Sequence, residues 1–285
     1  MNPPTMNHPF DEAIALQPHP SQPGSYSGKT HPAWMNMVGP FGGITSAAMI
    51  NAVLQHPALL GEPIAMTINF CAAVGDGPYE LEAVPVRTNR STQHWTMQLS
   101  QNSQTVVTGT AVTAARKSTW STQDEAMPTV AKAKDCAQAA HPLPWMQRYD
   151  TRIITGPLPA VWDGTQASSL SQLWVRDARQ RALDMPALAA LCDVFFPRVY
   201  VRRAVLVPIG TVSLTTYFHC DAAQLAGMQA SFDSSEEGAR ECADHVLGQA
   251  RGLNFRNGFF DQTALLWASS GELLASTHQT VYYKE

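Results

Sequence analysis

At 285 residues, with 45% hydrophobic against 15% charged side chains, the chain is long enough to bury two compact cores. A net charge of -4, with no basic run interleaved with aromatics, argues against a nucleic-acid binder. Five cysteines (Cys71, Cys136, Cys192, Cys220 and Cys242) include no Cys-x-x-Cys pair, so neither a disulfide framework nor a zinc site is expected, and the thiols are read as reduced.

The first ten residues lack the basic start and apolar core of a signal peptide, and no apolar run reaches the roughly 18 residues of a membrane span. The expectation is a cytoplasmic protein. After this Pro-rich, polar start, residues 42–55 carry small or apolar side chains nearly all round, which predicts a helix enclosed on every side. Val-, Thr- and aromatic-bearing runs predict strands over 66–71, 79–87, 94–101 and 105–114, parted by turn formers such as Gly75-Asp-Gly-Pro78. Residues 117–167 lack clear periodicity and are expected to form a connector over the surface.

Beyond the connector the order repeats. A strand over 170–176 leads into an apolar helix, and strands follow at 211–220, 246–255, 258–267 and 273–283. Two enclosed helices, each followed by an antiparallel meander, predict an α+β double hotdog, in which each bent sheet wraps its helix and the two sheets pair side by side. The expected boundaries are an N-terminal hotdog at 1–116, a connector at 117–167 and a C-terminal hotdog at 168–285.

The second helix bears the most informative residue. In the run Met185-Pro-Ala-Leu-Ala-Ala-Leu-Cys-Asp193-Val-Phe-Phe-Pro197, Asp193 is the only charge. A carboxylate buried among Leu191, Val194, Phe195 and Phe196 must shift its pKa, find hydrogen-bond donors or face a cavity. That makes it a functional-site candidate, the alternative being a surface carboxylate on an exposed helix edge.

Four segments then carry a family resemblance: Gly39-Pro-Phe-Gly-Gly43, Gln172-Leu-Trp-Val-Arg176, Thr211-Val-Ser-Leu-Thr-Thr-Tyr-Phe-His219 and Gly271-Glu-Leu-Leu-Ala-Ser-Thr-His-Gln279. In this order they resemble the double-hotdog acyl-CoA thioesterases, the family of bacterial acyl-CoA thioesterase II. The resemblance implies a catalytic set at Asp193, Thr211 and Gln279 that holds and polarises a water, with no covalent intermediate and no metal or organic cofactor. Acyl-CoA is the implied small-molecule substrate.

The chain departs from the family after Thr211, where Ser213-Leu214 replaces an Asp-His pair. Because Thr211, Ser213 and Thr215 alternate along one strand, a bulge or a two-residue shift could exchange one hydroxyl for another. Ser213 and Thr215 are therefore candidate substrate contacts, as are Gly42 and Gly43, whose N–H groups open the first helix. With the catalytic set wholly in the second half, the Gly-Gly pair is assigned to packing or to acyl and pantetheine positioning, an oxyanion role remaining open. Gln279 read alone is better taken as an edge-strand glutamine facing water, and His219 and His278 are read as packing or surface groups.

Arg202, Arg203, Arg251 and Arg256 could meet the CoA phosphates or be solvated charges. No Gly-x-Ser-x-Gly elbow, phosphate loop, His-Glu-x-x-His or dinucleotide fingerprint is present. The competing readings are a hotdog enoyl-CoA hydratase and a non-catalytic acyl-CoA-binding protein. Exposed sheet faces lead to the expectation of a homo-oligomer.

Overall fold

The computed structural model describes residues 8–140, 142–164, 166–234 and 245–285, and for 229–234 the backbone alone. Cys242 lies outside the described residues; Cys71, Cys136, Cys192 and Cys220 are free thiols. The first half places helix α1 (Pro9–Ala13) and strands β1 (Gln17–Pro18) and β2 (Ser25–Lys29) before helix α2 (Gly42–Leu54). Strands β3 (Glu62–Phe70), β4 (Pro78–Thr88), β5 (Thr92–Gln101) and β6 (Gln104–Ala114) follow. Along β5 and the first half of β4 the alternation is strict: Tyr79, Leu81, Ala83, Trp95, Met97 and Leu99 point inward, while Glu80 and Glu82 face out. Asn102 and Ser103 both adopt left-handed φ, 50° and 60°, the backbone of a tight hairpin that matches the twist of β5 and β6.

The bent sheet covers α2 on nearly every side. Ala47, Met49, Ile50, Ala52 and Val53 are fully buried, and Thr45 and Ser46 are buried with them. The Ser46 hydroxyl donates a hydrogen bond to the Gly42 carbonyl at 3.0 Å, so this polar group needs no water.

The second half comprises β7 (Tyr149–Thr155), β8 (Ser171–Asp177), α3 (Met185–Leu191), α4 (Arg198–Arg203), β9 (Ile209–Phe218), α5 (Ala222–Ser234), β10 (Val246–Arg251), β11 (Phe255–Arg256), β12 (Phe259–Ala268) and β13 (Leu273–Tyr283). All strand pairs are antiparallel, in the order β1-β2-β4-β5-β6-β3-β9-β13-β12-β10-β8-β7, with β11 beside β12. The two sheets join where β3 pairs β9, from Ala65 opposite Tyr217 to Asn69 opposite Ser213. This is the double hotdog: one continuous sheet curling round two central helices that pack against each other.

Three local expectations change. The 117–167 stretch is more than a connector, because it supplies β7, the edge strand of the second sheet, and the buried Trp145 and Met146. Trp145 stacks on Phe41 with ring centroids 4.1 Å apart, and Tyr149 meets Trp34 edge-on, so the segment is packed into both halves. The helix expected to bear Asp193 ends at Leu191, placing Asp193 in the turn after its cap. The helices α1, α4 and α5 were not anticipated. No helix among the described residues is long and apolar enough to cross a membrane.

Candidate active site

A cavity of about 490 Å³ opens in the second half, at its contact with the first. Its polar groups include Asp193, Thr211, Gln262 and Gln279; most of its wall is apolar, including Phe41, Trp145, Phe195, Phe196, Tyr200 and Phe260. Leu206, Met37 and Trp162, the last edge-on to Tyr200, leave apolar surface exposed at its rim. Such a cleft suits an apolar chain whose reacting group is met at one polar spot.

Asp193 is placed by the way α3 stops. Asp184 caps the helix start through Oδ1 on the Ala187 N–H at 2.9 Å, and Pro186 fits the first turn. After the cap at Cys192 the chain turns, with Cys192 on one side and Val194, Phe195 and Phe196 on the other all buried. These apolar anchors leave the carboxyl facing the cavity. Burial pushes the Asp193 carboxyl up to about 7, and the Gln279 amide and the Gly43 N–H only partly offset that by stabilising the charged form.

Gln279 lies on the inward face of β13 with Ala275, Thr277 and Val281, and its Nε2 donates to Asp193 Oδ1 at 2.7 Å. It is no edge residue, since β13 runs between β9 and β12. From the first half, α2 brings its N-terminus to the same carboxyl. A Cβ on Gly42 would stand 2.6 Å from Asp193 Oδ2, and one on Gly43 would meet the Ala190 carbonyl at 2.5 Å. Only glycines allow this approach, which sets the positive end of a 13-residue helix against the carboxylate. The Gly-Gly pair, assigned from sequence to packing or substrate positioning, therefore touches the group that the second half supplies.

A bulge sorts the three hydroxyls. Val281 lies opposite Thr211 while Thr280 lies opposite Ser213, so Val212 is the extra residue, and the inner face of β9 passes from Leu214 to Thr211. Thr211 lines the cavity. Ser213 lies opposite the exposed Thr280, and Thr215 shares a 3.0 Å hydrogen bond with Thr67 across the sheet junction; neither lines the cavity. The expectation that all three share one face fails because a bulge shifts the alternation by one.

His219 hydrogen-bonds Ser276 at 2.9 Å and His278 lies 3.5 Å from Asp261, both away from the cavity. Arg202, Arg203 and Arg251 line a separate open cavity of about 720 Å³ with Ser168, Asn254 and Tyr283, whereas Arg256 does not line it.

Two residues escaped the sequence reading, Gln262 on β12 and Arg198. Arg198, at the start of α4, is fully buried and donates to Gln262 Oε1 at 2.9 Å, Ser169 O at 2.8 Å and Ser171 Oγ at 2.9 Å, as well as to the Phe196 carbonyl. The signal was available, because Arg198 interrupts an apolar run from Val194 to Val201 just as Asp193 precedes it.

The comparisons agree with this architecture. A family model described as the acyl-CoA thioesterase C-terminal domain matches residues 123–283, and its N-terminal counterpart matches residues 31–114. The chain belongs to the acyl-CoA thioesterase family, a family of hydrolases. Among solved structures it is similar to a conserved protein of unknown function with a hot dog fold from Alicyclobacillus acidocaldarius, at 42% identity and TM-score 0.87, covering 98% of this chain and 99% of that one. It also shares its fold with a putative thioesterase II from Thermobifida fusca, at 18% identity and TM-score 0.77, covering 97% of each chain. An acyl-CoA thioesterase II from Mycobacterium marinum matches at 16% identity and TM-score 0.71, covering 96% of this chain and 98% of that one. No curated protein matches the chain.

Proposed function

We propose that the protein hydrolyses an acyl-CoA thioester to the free carboxylic acid and CoA, using a water held by Asp193, Thr211 and Gln279. The observation that carries this reading is a cavity-facing carboxyl raised to about 7, hydrogen-bonded to a carboxamide at the polar end of an apolar cleft. A carboxyl that titrates near neutrality is matched to proton transfer in the cell. In the ionised state Asp193 takes a proton from the water as the oxygen attacks the thioester carbon. Thr211 and Gln279 supply the donor and acceptor that fix the water's remaining groups. The tetrahedral species then collapses, breaking the C–S bond while Asp193 returns the proton to the departing sulfur, so CoA leaves as the thiol, the carboxylate is regenerated, and no metal, cofactor or covalent enzyme intermediate is required.

The apolar wall takes the acyl chain in this reading, and the basic cavity beyond α4 offers Arg202, Arg203 and Arg251 to the phosphates of CoA. Action in the cytoplasm fits the free thiols. Assembly into a homo-oligomer is supported by apolar surface at Val212, Tyr217, Phe259 and Tyr282 on the outer sheet face. An enoyl-CoA hydratase finds less support, because neither His219 nor His278 faces the cavity.

Free-thiol release from acyl-CoAs of graded length tests the reading. Asp193→Asn should lose about two to four orders of magnitude in kcat while still binding substrate. Undiminished release from a folded Asp193→Asn protein would remove the carboxylate from the reaction. Acyl-CoA that protects the wild type against unfolding without ever being cleaved would leave an acyl-CoA-binding protein instead.

A further inference from the structure

A buried cation stands behind the wall of the cavity. Arg198 is 0% exposed, and among the described residues its hydrogen bonds go only to neutral oxygens. Among the described residues no carboxylate compensates it, and burial lowers its pKa to about 9. An arrangement this costly is expected where a positive potential has a use.

Gln262 connects the cation to the cavity. Arginine has donors only, so the Gln262 atom 2.9 Å from Arg198 Nε is the carbonyl oxygen Oε1, and Nε2 is turned away from the guanidinium. Gln262 lines the cavity with 3% exposure, and its Nε2 has no acceptor among the described residues. On β12 it lies opposite Gln279 of β13, which places the two side chains about 5 Å apart on the same inward face. Gln279 is the residue that grips Asp193. One carboxamide of this pair is thus committed to the carboxylate, and the other presents an unused N–H group to the same space.

We infer that Gln262 is a further catalytic residue, donating from Nε2 to the thioester carbonyl oxygen, and that Arg198 is a positioning residue that orients and polarises it. The inference rests on the thioesterase reading. As water adds to the carbonyl carbon and its proton passes to Asp193, the carbonyl electron pair moves onto oxygen. The Gln262 N–H meets this charge, and Arg198 stabilises it through the amide dipole. When the C–S bond breaks, the pair returns to re-form the carbonyl.

Two variants separate chemistry from support. Gln262→Glu keeps an acceptor for Arg198 but replaces the donor with a carboxylate, and Gln262→Met removes both functions at similar volume. Gln262→Glu should melt no lower than the wild type and lose about 100-fold or more in kcat, with KM changed less than about threefold. A purely structural glutamine predicts the reverse: Gln262→Glu active within about twofold, Gln262→Met merely unstable.

An independent readout is the carbonyl stretch of an acyl-CoA bound to the Asp193→Asn protein. It should move to lower wavenumber on binding, and the shift should vanish when Gln262→Met is added. A shift that survives Gln262→Met overturns the assignment. A wild type that releases no thiol from any acyl-CoA sinks the thioesterase reading and this inference together; thiol release that depends on Asp193 but not on Gln262 sinks this inference alone.

Discussion

The two hotdogs share a plan and differ in what their central helices enclose. In the first, α2 runs 13 residues and its surroundings are filled by side chains such as Trp34, Met49, Ile50 and Trp95, all essentially without exposure. In the second, α3 lasts seven residues, and the space that its next turns would occupy is taken by the Asp193 turn, α4 and a cavity of about 490 Å³. One copy keeps the packed core and the other gives up packing to hold a charge. The packed copy still serves the site, because α2 aims its N-terminus at the carboxyl in the hollow one.

The most damaging single methyl should therefore lie in the half that contributes none of the proposed catalytic side chains. Gly42→Ala sets a Cβ within 2.6 Å of Asp193 Oδ2, which must move and disturb its bond to Gln279. We expect kcat to fall by about 100-fold, since misplacement of about 1 Å at a reacting group has effects of that order. Thermal melting should show the protein still folded. Full activity in Gly42→Ala would mean that the two halves are joined at the site without depending on each other.

Removing hydroxyls from β9 sharpens the same comparison on a smaller scale. Thr211→Val should cost about tenfold or more in kcat, because Thr211 reaches the cavity past the bulge. Thr215→Val, which breaks only the bond to Thr67 at the sheet junction, should leave kcat within about twofold and cost about 1 kcal/mol of stability. Equal kinetic losses in the two variants would contradict the face assignment.

These contrasts also mark what the sequence could reveal. Asp193 was legible because a charge inside an apolar run has few bland explanations, and the strands of β4, β5 and β13 were legible because inward and outward residues alternate over long stretches of each, 78–84, 92–99 and 275–282. Thr211 could not be separated from Ser213 and Thr215, since a bulge leaves no mark in the alternation of residue types. Strand β7 was missed for an electrostatic reason. Asp150 is buried there against Arg152 and Arg176, each at 3.2 Å, and charges that neutralise one another in space read as surface polarity in a linear chain. The end of α3 was hidden too, because Cys192, Val194, Phe195 and Phe196 continue the apolar texture after the helix has stopped.

One effect is thermodynamic and distinguishes the hollow half without any substrate. A carboxyl raised to about 7 in the fold, against about 3.9 in the unfolded chain, keeps its proton in the native state over a pH range where the unfolded state has lost it. Its contribution therefore favours the fold below about pH 4 and is lost as pH rises through about 7. Asn at this position cannot titrate. The stability difference between wild type and Asp193→Asn, measured by urea unfolding, should move against the wild type by about 4 kcal/mol between pH 4 and pH 8. A difference independent of pH would mean that the native carboxyl titrates as it does in the unfolded chain, and that the hollow half solvates its charge instead of storing the cost of burying it.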